Sequence, residues 1–278
     1  MTASDHGYIH GTHPEEQRRL SALNDIINAR CLEALALRGG ERVLDVGSGL
    51  GQFTRLMATA AGTRVVGVEA SAEQLAEARR QAVAAGDETR VDFRQGDALT
   101  LALPETEWGR YDVVHTRFVL EHVADPLAVV RAMTRAVAPG GRIVLADDDH
   151  DVLRLWPEPP GLETLWRAYI ATYERAGRDP YVGRKLVELL HAAGLSPARN
   201  TWIWFGGCSG DPLFPALVRN LLDILAGARE AILATGRVDA KAFDDAVAAT
   251  HAWATRPDAA LWFAIAWAEG IKDRPVAR

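Results

Sequence analysis

Between residues 41 and 146 short β-branched runs alternate with amphipathic stretches, and nothing else in the chain limits its possible folds as strongly. The runs are RVLDV, TRVVGVE, VDFRQ, YDVVHT and RIVLA, each apolar enough to be buried on both faces. Between the second and third lies SAEQLAEARRQAVAAG, where Ser71 is placed to cap a helix and Gln74, three residues on, to complete a capping box. Leu75, Ala78, Ala82 and Val83 would form its buried face, and Gly86 would end it. A later helix is expected from Asp125, an N-cap followed by Pro126 at the first helical position, with Leu127, Val130, Met133 and Val137 on one face. Pro139, Gly140 and Gly141 then turn the chain into the fifth run. Five strands joined by helical crossovers imply an α/β fold with a doubly wound parallel sheet.

The pattern changes after residue 147. Residues 152–194 read as helices, WPEPPG (156–161) as a rigid turn, and TWIWFGG (201–207) and ALWFAIAWAEG (260–270) as two further strands. Helical stretches near 213–228 and 239–255 separate them, and no internal repeat or low-complexity linker is present. With 278 residues, 48% of them hydrophobic, the chain can bury one large core. It reads as a single domain: N-terminal cap helices over 1–40, a ligand-binding core over 41–150, a helical insertion over 151–200, and the last two strands with their helices over 201–278. The aromatic final strand is expected in the core, a homodimer face being its other reading.

Composition narrows the partners. A formal charge of −6 and no Lys/Arg run argue against a nucleic-acid groove and against binding at an anionic membrane surface. Cys31 and Cys208 are too few for a disulfide framework or a cysteine zinc site. MTASDHGYIHG lacks the basic and apolar regions of a signal peptide, and no window reaches about 18 uninterrupted apolar residues. A soluble, cytoplasmic protein handling a small molecule is the expectation.

The small molecule would bind beyond the carboxyl ends of the strands. ERVLDVGSGLGQFTRL, residues 41–56, sets Gly47, Gly49 and Gly51 there, ahead of a helix built on Phe53, Leu56 and Met57. The dinucleotide fingerprint is G-x-G-x-x-G, and here the third glycine comes one residue early; no G-x-x-x-x-G-K-[ST] phosphate loop exists. Acidic residues end the first three runs. Asp45 would repel a pyrophosphate and suit a cationic amino-acid ligand. Glu69 can accept from both hydroxyls of a ribose, and Asp97 from an adenine amino group. The competing reading makes each acid a loop cap.

These residues resemble the motifs of class I S-adenosylmethionine-dependent methyltransferases, in the small-molecule branch that includes enzymes of ubiquinone and menaquinone biosynthesis. VLDVGSGLG is similar to the family's first motif, VVGVEAS to its second-strand acidic motif and RQGDALTL to its adenine-side motif. YDVVHTRFVLEHVADP and APGGRIVLADDD resemble the fourth- and fifth-strand motifs, so the resemblance spans residues 41–149. It implies a Rossmann-like, seven-stranded sheet whose last strand is antiparallel, with an N-terminal helix and helical lid insertions. It implies S-adenosylmethionine as cofactor, with Asp45 near the methionine amino group and Gly47, Ser48 and Gly49 close to the methionine and ribose portions. Glu69 would take the ribose hydroxyls, Ala70, Asp97 and Ala98 would lie on the adenine side, Gln74 would also belong to the cofactor-binding set, and Thr116 and Arg117 would sit at the fourth-strand end beneath the sulfonium. Tyr8 and Arg19, in YIHGTHPEEQRRL, match positions that reach the methionine carboxylate.

The Asn/Asp-Pro-Pro-aromatic sequence of the DNA and protein-amide N-methylating members is absent after the fourth strand, where the chain reads HTRFVLEHV. A small-molecule acceptor, methylated at oxygen, carbon or nitrogen, is therefore expected. A hydroxyl acceptor needs a base, and His150, just past the fifth strand, is the candidate for base or acceptor orienter. His115 is expected as a satisfied core residue and His122 in packing or the cofactor pocket. Asp147, Asp148, Asp149 and Asp151 read as a solvated, loop-capping cluster, not a metal site, because adjacent strand residues point to opposite faces. Trp166, Tyr169 and Tyr173 share one helix face and, with Trp156, would make an aromatic lid or dock a helix on the core. Arg184 is placed at the surface, with the pocket mouth as its other reading. The alternatives in function are a family member that uses the cofactor for a rearrangement, cyclisation or elimination, a non-catalytic cofactor-binding subunit, and, more distantly, a nicotinamide dehydrogenase.

Overall fold

The computed structural model describes residues 27–274, which cluster into two compact units. The larger comprises residues 27–149, 181–203 and 264–274; the smaller comprises 150–180 and 204–263.

The larger unit opens with a helix over residues 27–35 (α1) and continues β1 (Val43–Val46), α2 (Gln52–Ala61), β2 (Val65–Glu69), α3 (Ala72–Ala85), β3 (Val91–Gln95), β4 (Tyr111–Arg117), α4 (Pro126–Ala136) and β5 (Val137–Asp148). Its strands lie in the order β3-β2-β1-β4-β5 and are parallel, strands consecutive in the chain being joined by a helical crossover or a long connection. Val43, Leu44, Val46, Val65, Val68, Val113 and Val114 are buried, as both-face burial in a parallel sheet requires. α6 (Leu186–Ala192) contributes Leu186 and Leu190 to this core. β7 (Ser196–Cys208) pairs with β8 (Ala260–Ile271), and β8 runs antiparallel to β5, Leu145 opposite Ala268.

In the smaller unit the short strand β6 (Arg154–Trp156) pairs antiparallel with the first residues of β8, Leu155 opposite Leu261. The same unit holds α5 (Leu162–Arg175), α7 (Phe214–Gly227), α8 (Arg229–Ala234) and α9 (Ala240–Trp253). α5 buries Leu165, Tyr169, Ile170 and Tyr173 and packs on α8 and α9. Among the described residues no helix is long and apolar enough to cross a membrane.

Four local expectations need correction. The described residues form eight strands, not seven, because the three-residue β6 interrupts a stretch read as helical; its pattern is too short to show a period. Pro139, Gly140 and Gly141 lie within β5, where pairing with β4 shifts from Tyr111–Val137 to Val113–Arg142, so the glycines form a bulge instead of a free turn. Val83 and Leu56, assigned to buried faces, are 66% and 38% exposed. The capping box at α3 is half formed: Ser71 Oγ accepts from the Gln74 amide at 3.2 Å, but the Ser71 amide donates to Glu69, leaving no donor for the Gln74 side chain to satisfy.

Candidate functional site

The β1–α2 loop is fastened to the end of β2 by the amides of Gly47 and Ser48, both donating to the Val68 carbonyl at 2.8 and 3.0 Å. Its three glycines have different reasons for being there. A Cβ on Gly47 (φ 73) would lie 2.2 Å from Val119 Cγ2, and one on Gly51 (φ 70) 2.2 Å from the Phe93 ring. Protein atoms therefore already occupy the space those two glycines leave. Gly49 (φ 54) is the open one, where a Cβ would meet only Gln74 Oε1 at 3.3 Å. Beside it, Ser48 Oγ is buried with no hydrogen-bond partner among the described residues, the state of a group whose partner is a ligand or water.

Glu69 is tied to this loop. Its Oε2 accepts from the Gly49 amide and its Oε1 from the Ser71 amide, both at 2.9 Å. Each oxygen keeps a further lone pair, so the carboxylate is held in place and still able to accept two hydroxyls. Burial pushes its carboxyl above its ordinary value; the Ser71, Gly49 and Ala70 amides oppose this, and the nearby Asp45 charge adds to it.

Asp45 is buried, its Oδ2 accepting from Thr54 Oγ1 at 2.6 Å and its Oδ1 bonded to His115 Nδ1 at 2.8 Å. Thr116 is fully buried and donates to the Val46 carbonyl at 2.9 Å. Arg117 donates to Asn28 Oδ1 on α1 and lies 4.5 Å from the Phe53 ring centre. Asp97 Oδ1 accepts from the Leu99 amide at 2.7 Å. Ala70 is exposed and Ala98 packs against the core. Thus Gly49, Ser48, Glu69 and Gln74 are brought together at one loop, Asp45 lies on β1 in register with Gly67 and His115, and Tyr8 and Arg19 lie outside the described residues. Sequence reading missed Thr54, Val119 and Phe93, which shape this loop; only the positive-φ glycines hinted that something must fill their empty sides.

Two acids of the run, Asp147 and Asp149, are not solvated, which corrects their reading. Asp147 is completely buried, with Oδ2 accepting from the Val119 and Leu120 amides at 3.1 and 2.9 Å. Asp149 is buried and grips Arg184 through two hydrogen bonds of 2.5 and 2.6 Å. Arg184 is thus a half-exposed partner of a buried acid. Asp148 is half-buried, and His122 Nε2 lies 3.4 Å from the buried Glu121. The carboxyl of Asp147 is pushed up to about 8, first by burial and then by the Glu121 charge. The native chain then holds a proton that the unfolded chain releases above roughly pH 4, so stability falls as pH rises from there to about 8. Asp147→Asn keeps an acceptor for the two amides and removes the titration. Its melting temperature is expected to fall less between about pH 5 and 8 than that of the unchanged chain; parallel curves would assign the slope elsewhere.

In the smaller unit His150 is 4% exposed. Its ring centre lies 5.6, 5.5 and 5.0 Å from those of Trp166, Tyr169 and Tyr173, and its carbonyl accepts from Trp166 Nε1 at 2.8 Å. The aromatic stripe of α5 is therefore interior packing around His150, whereas Trp156 is 68% exposed. His150 also lines an open cleft of about 270 Å³ with Asp151, Arg154, Glu163, Trp166 and Arg167.

Residues 15–199 match a family model described as a methyltransferase domain, 185 of the 278 residues, and the chain belongs to that family. It is 35% identical over 154 residues to 27-O-demethylrifamycin SV methyltransferase of Amycolatopsis mediterranei, covering 55% of this chain and 54% of that one. It is 35% identical over 134 residues to the ubiquinone biosynthesis O-methyltransferase of Pseudomonas aeruginosa, covering 48% and 56%. The chain thus spans about half the length of these curated relatives. Among solved structures, the [4+2]-cyclase SpnF superimposes with a TM-score of 0.56 at 19% identity over 99% of both chains, a likeness of fold alone.

Proposed function

We propose that this chain is an S-adenosylmethionine-dependent methyltransferase acting on a small-molecule acceptor. The observation that carries the reading is the Glu69 carboxylate, anchored by the Gly49 and Ser71 amides beside the one glycine whose free side is open. A nucleoside fits this set of groups: Glu69 accepting from the two ribose hydroxyls, Gly49 for close backbone approach, and Gln74, Ala70, Asp97 and Ala98 on the base side. The buried Ser48 hydroxyl supplies one further polar contact. Asp45 would face the amino group of the methionine portion, with Thr116 and Arg117 at the neighbouring strand end and Tyr8 and Arg19 toward the carboxylate. When bound, the cofactor supplies a methyl group already activated by a cationic sulfur. The residues of this chain then have to bind, orient the acceptor and exclude water. His150, enclosed by aromatic rings and lining its cleft, is our candidate for orienting the acceptor or taking its proton.

One relative is named for transfer to oxygen, which makes hydroxylated acceptors the first class to screen. Because the fold is shared with a cyclase, turnover must be followed by S-adenosylhomocysteine release and not by acceptor loss alone. Calorimetry with S-adenosylmethionine, S-adenosylhomocysteine and NAD in parallel is expected to give micromolar binding of the first two and none of the third. Binding of NAD alone would replace this reading by a dehydrogenase.

A further inference from the structure

His115 stands opposite Asp45 across β1 and β4 and is 1% exposed. Its Nδ1 is 2.8 Å from Asp45 Oδ1, and its Nε2 is buried with no hydrogen-bond partner among the described residues. The rings of Phe53 and Trp267 lie beside it, with centres at 5.1 and 6.2 Å. A protonated imidazole would carry a hydrogen on both nitrogens and leave Nε2–H buried without an acceptor. The partners therefore select the neutral ring with its hydrogen on Nδ1, donated to Asp45. Thr54 Oγ1 donates to the other oxygen at 2.6 Å. With a donor on each oxygen, Asp45 is fixed in one orientation as an ionised acceptor, although it is removed from water. The charged groups on the elements packed around this pair include Glu69, whose carboxyl is raised in part by the Asp45 charge; Arg117, held over the Phe53 ring; and Glu269, which accepts from Trp267 Nε1 at 2.9 Å and is itself paired with Arg142 and Arg199.

We propose that His115 is a positioning residue for ligand recognition: it holds Asp45 as a preformed anion for the cationic amino group of the cofactor's methionine portion, so that the amino-acid half of the ligand contributes to affinity. The inference rests on the cofactor reading above. It separates from that reading because two ligands share the nucleoside but not the amino acid: S-adenosylhomocysteine carries the ammonium, and 5′-methylthioadenosine lacks the whole amino-acid portion.

Calorimetry of the unchanged chain, His115→Phe and His115→Asn against both ligands tests it. His115→Phe is expected to weaken S-adenosylhomocysteine roughly tenfold or more, the loss of a charge-assisted contact, and to leave 5′-methylthioadenosine within about twofold. His115→Asn places a side-chain N–H near the Nδ1 position and should recover most of the loss. Equal losses for both ligands, or no loss in His115→Phe, would overturn the proposal. Nitrogen NMR of the unchanged chain gives an answer independent of any variant: Nδ1 should carry the hydrogen and Nε2 none, and the opposite tautomer overturns the assignment. If the unchanged chain binds neither nucleoside, the cofactor reading fails and this inference with it. If it binds both equally, only this inference fails.

Discussion

Glu69→Ala is expected to weaken S-adenosylmethionine binding by ~1–3 kcal/mol, a loss of roughly five- to 150-fold, while the fold stays intact. Two losses combine. The ribose hydroxyls would lose their acceptor on entering a partly dry site, and the amides of Gly49 and Ser71 would lose the carboxylate that fixes the loop beside them. Folding should not suffer to the same degree, because burial already disfavours the Glu69 charge and its removal relieves that cost. Glu69→Gln tests the geometry more finely. Its amide nitrogen must face one of the two backbone N–H groups, donor against donor, so it should bind poorly despite its matching size. Calorimetry alongside a thermal melt separates the cases. Affinity within a factor of two of the unchanged chain would remove Glu69 from the site.

The second large effect concerns stability. Gly47→Ala is expected to destabilise the fold by ~2–4 kcal/mol, from about 1–2 for a side chain in the left-handed region and a similar amount for overpacking. The overpacking has a named cause: the new Cβ would sit 2.2 Å from Val119 Cγ2, where the chain, turning at Phe118 (φ 56), lays Val119 over the glycine. Val119→Ala in the same chain should recover the steric part and leave the backbone part, so the two substitutions should couple by ~1 kcal/mol or more in denaturant unfolding. Strict additivity would show that Val119 moves aside freely. Gly49→Ala should differ in kind. Its Cβ meets only the end of a glutamine side chain, so stability should fall by the backbone cost alone while cofactor affinity falls with it.

The strands β1 to β5, the caps at Ser71 and Asp125 and the loop acids were legible in sequence because each depends on residues close together in the chain. The three-residue β6 was not, since a segment shorter than one period carries no pattern. The acidic run illustrates the same limit. Four acids in five residues read as solvated, and the burial of two of them depends on distant partners: the Val119 and Leu120 amides for Asp147 and Arg184 for Asp149.

By itself the sequence determined the order of the elements, the glycine loop at the end of β1 and the acids at successive strand ends, all of which follow from local periodicity and backbone conformation. Only the tertiary structure decided which glycine faces open space and which acid is anchored by two backbone amides. It also decided that Asp45 is hydrogen-bonded by His115 and Thr54. Those distinctions depend on what fills the space beside a residue, and that space is filled by side chains 9 to 72 positions away in the chain, from Thr54 against Asp45 to Val119 against Gly47.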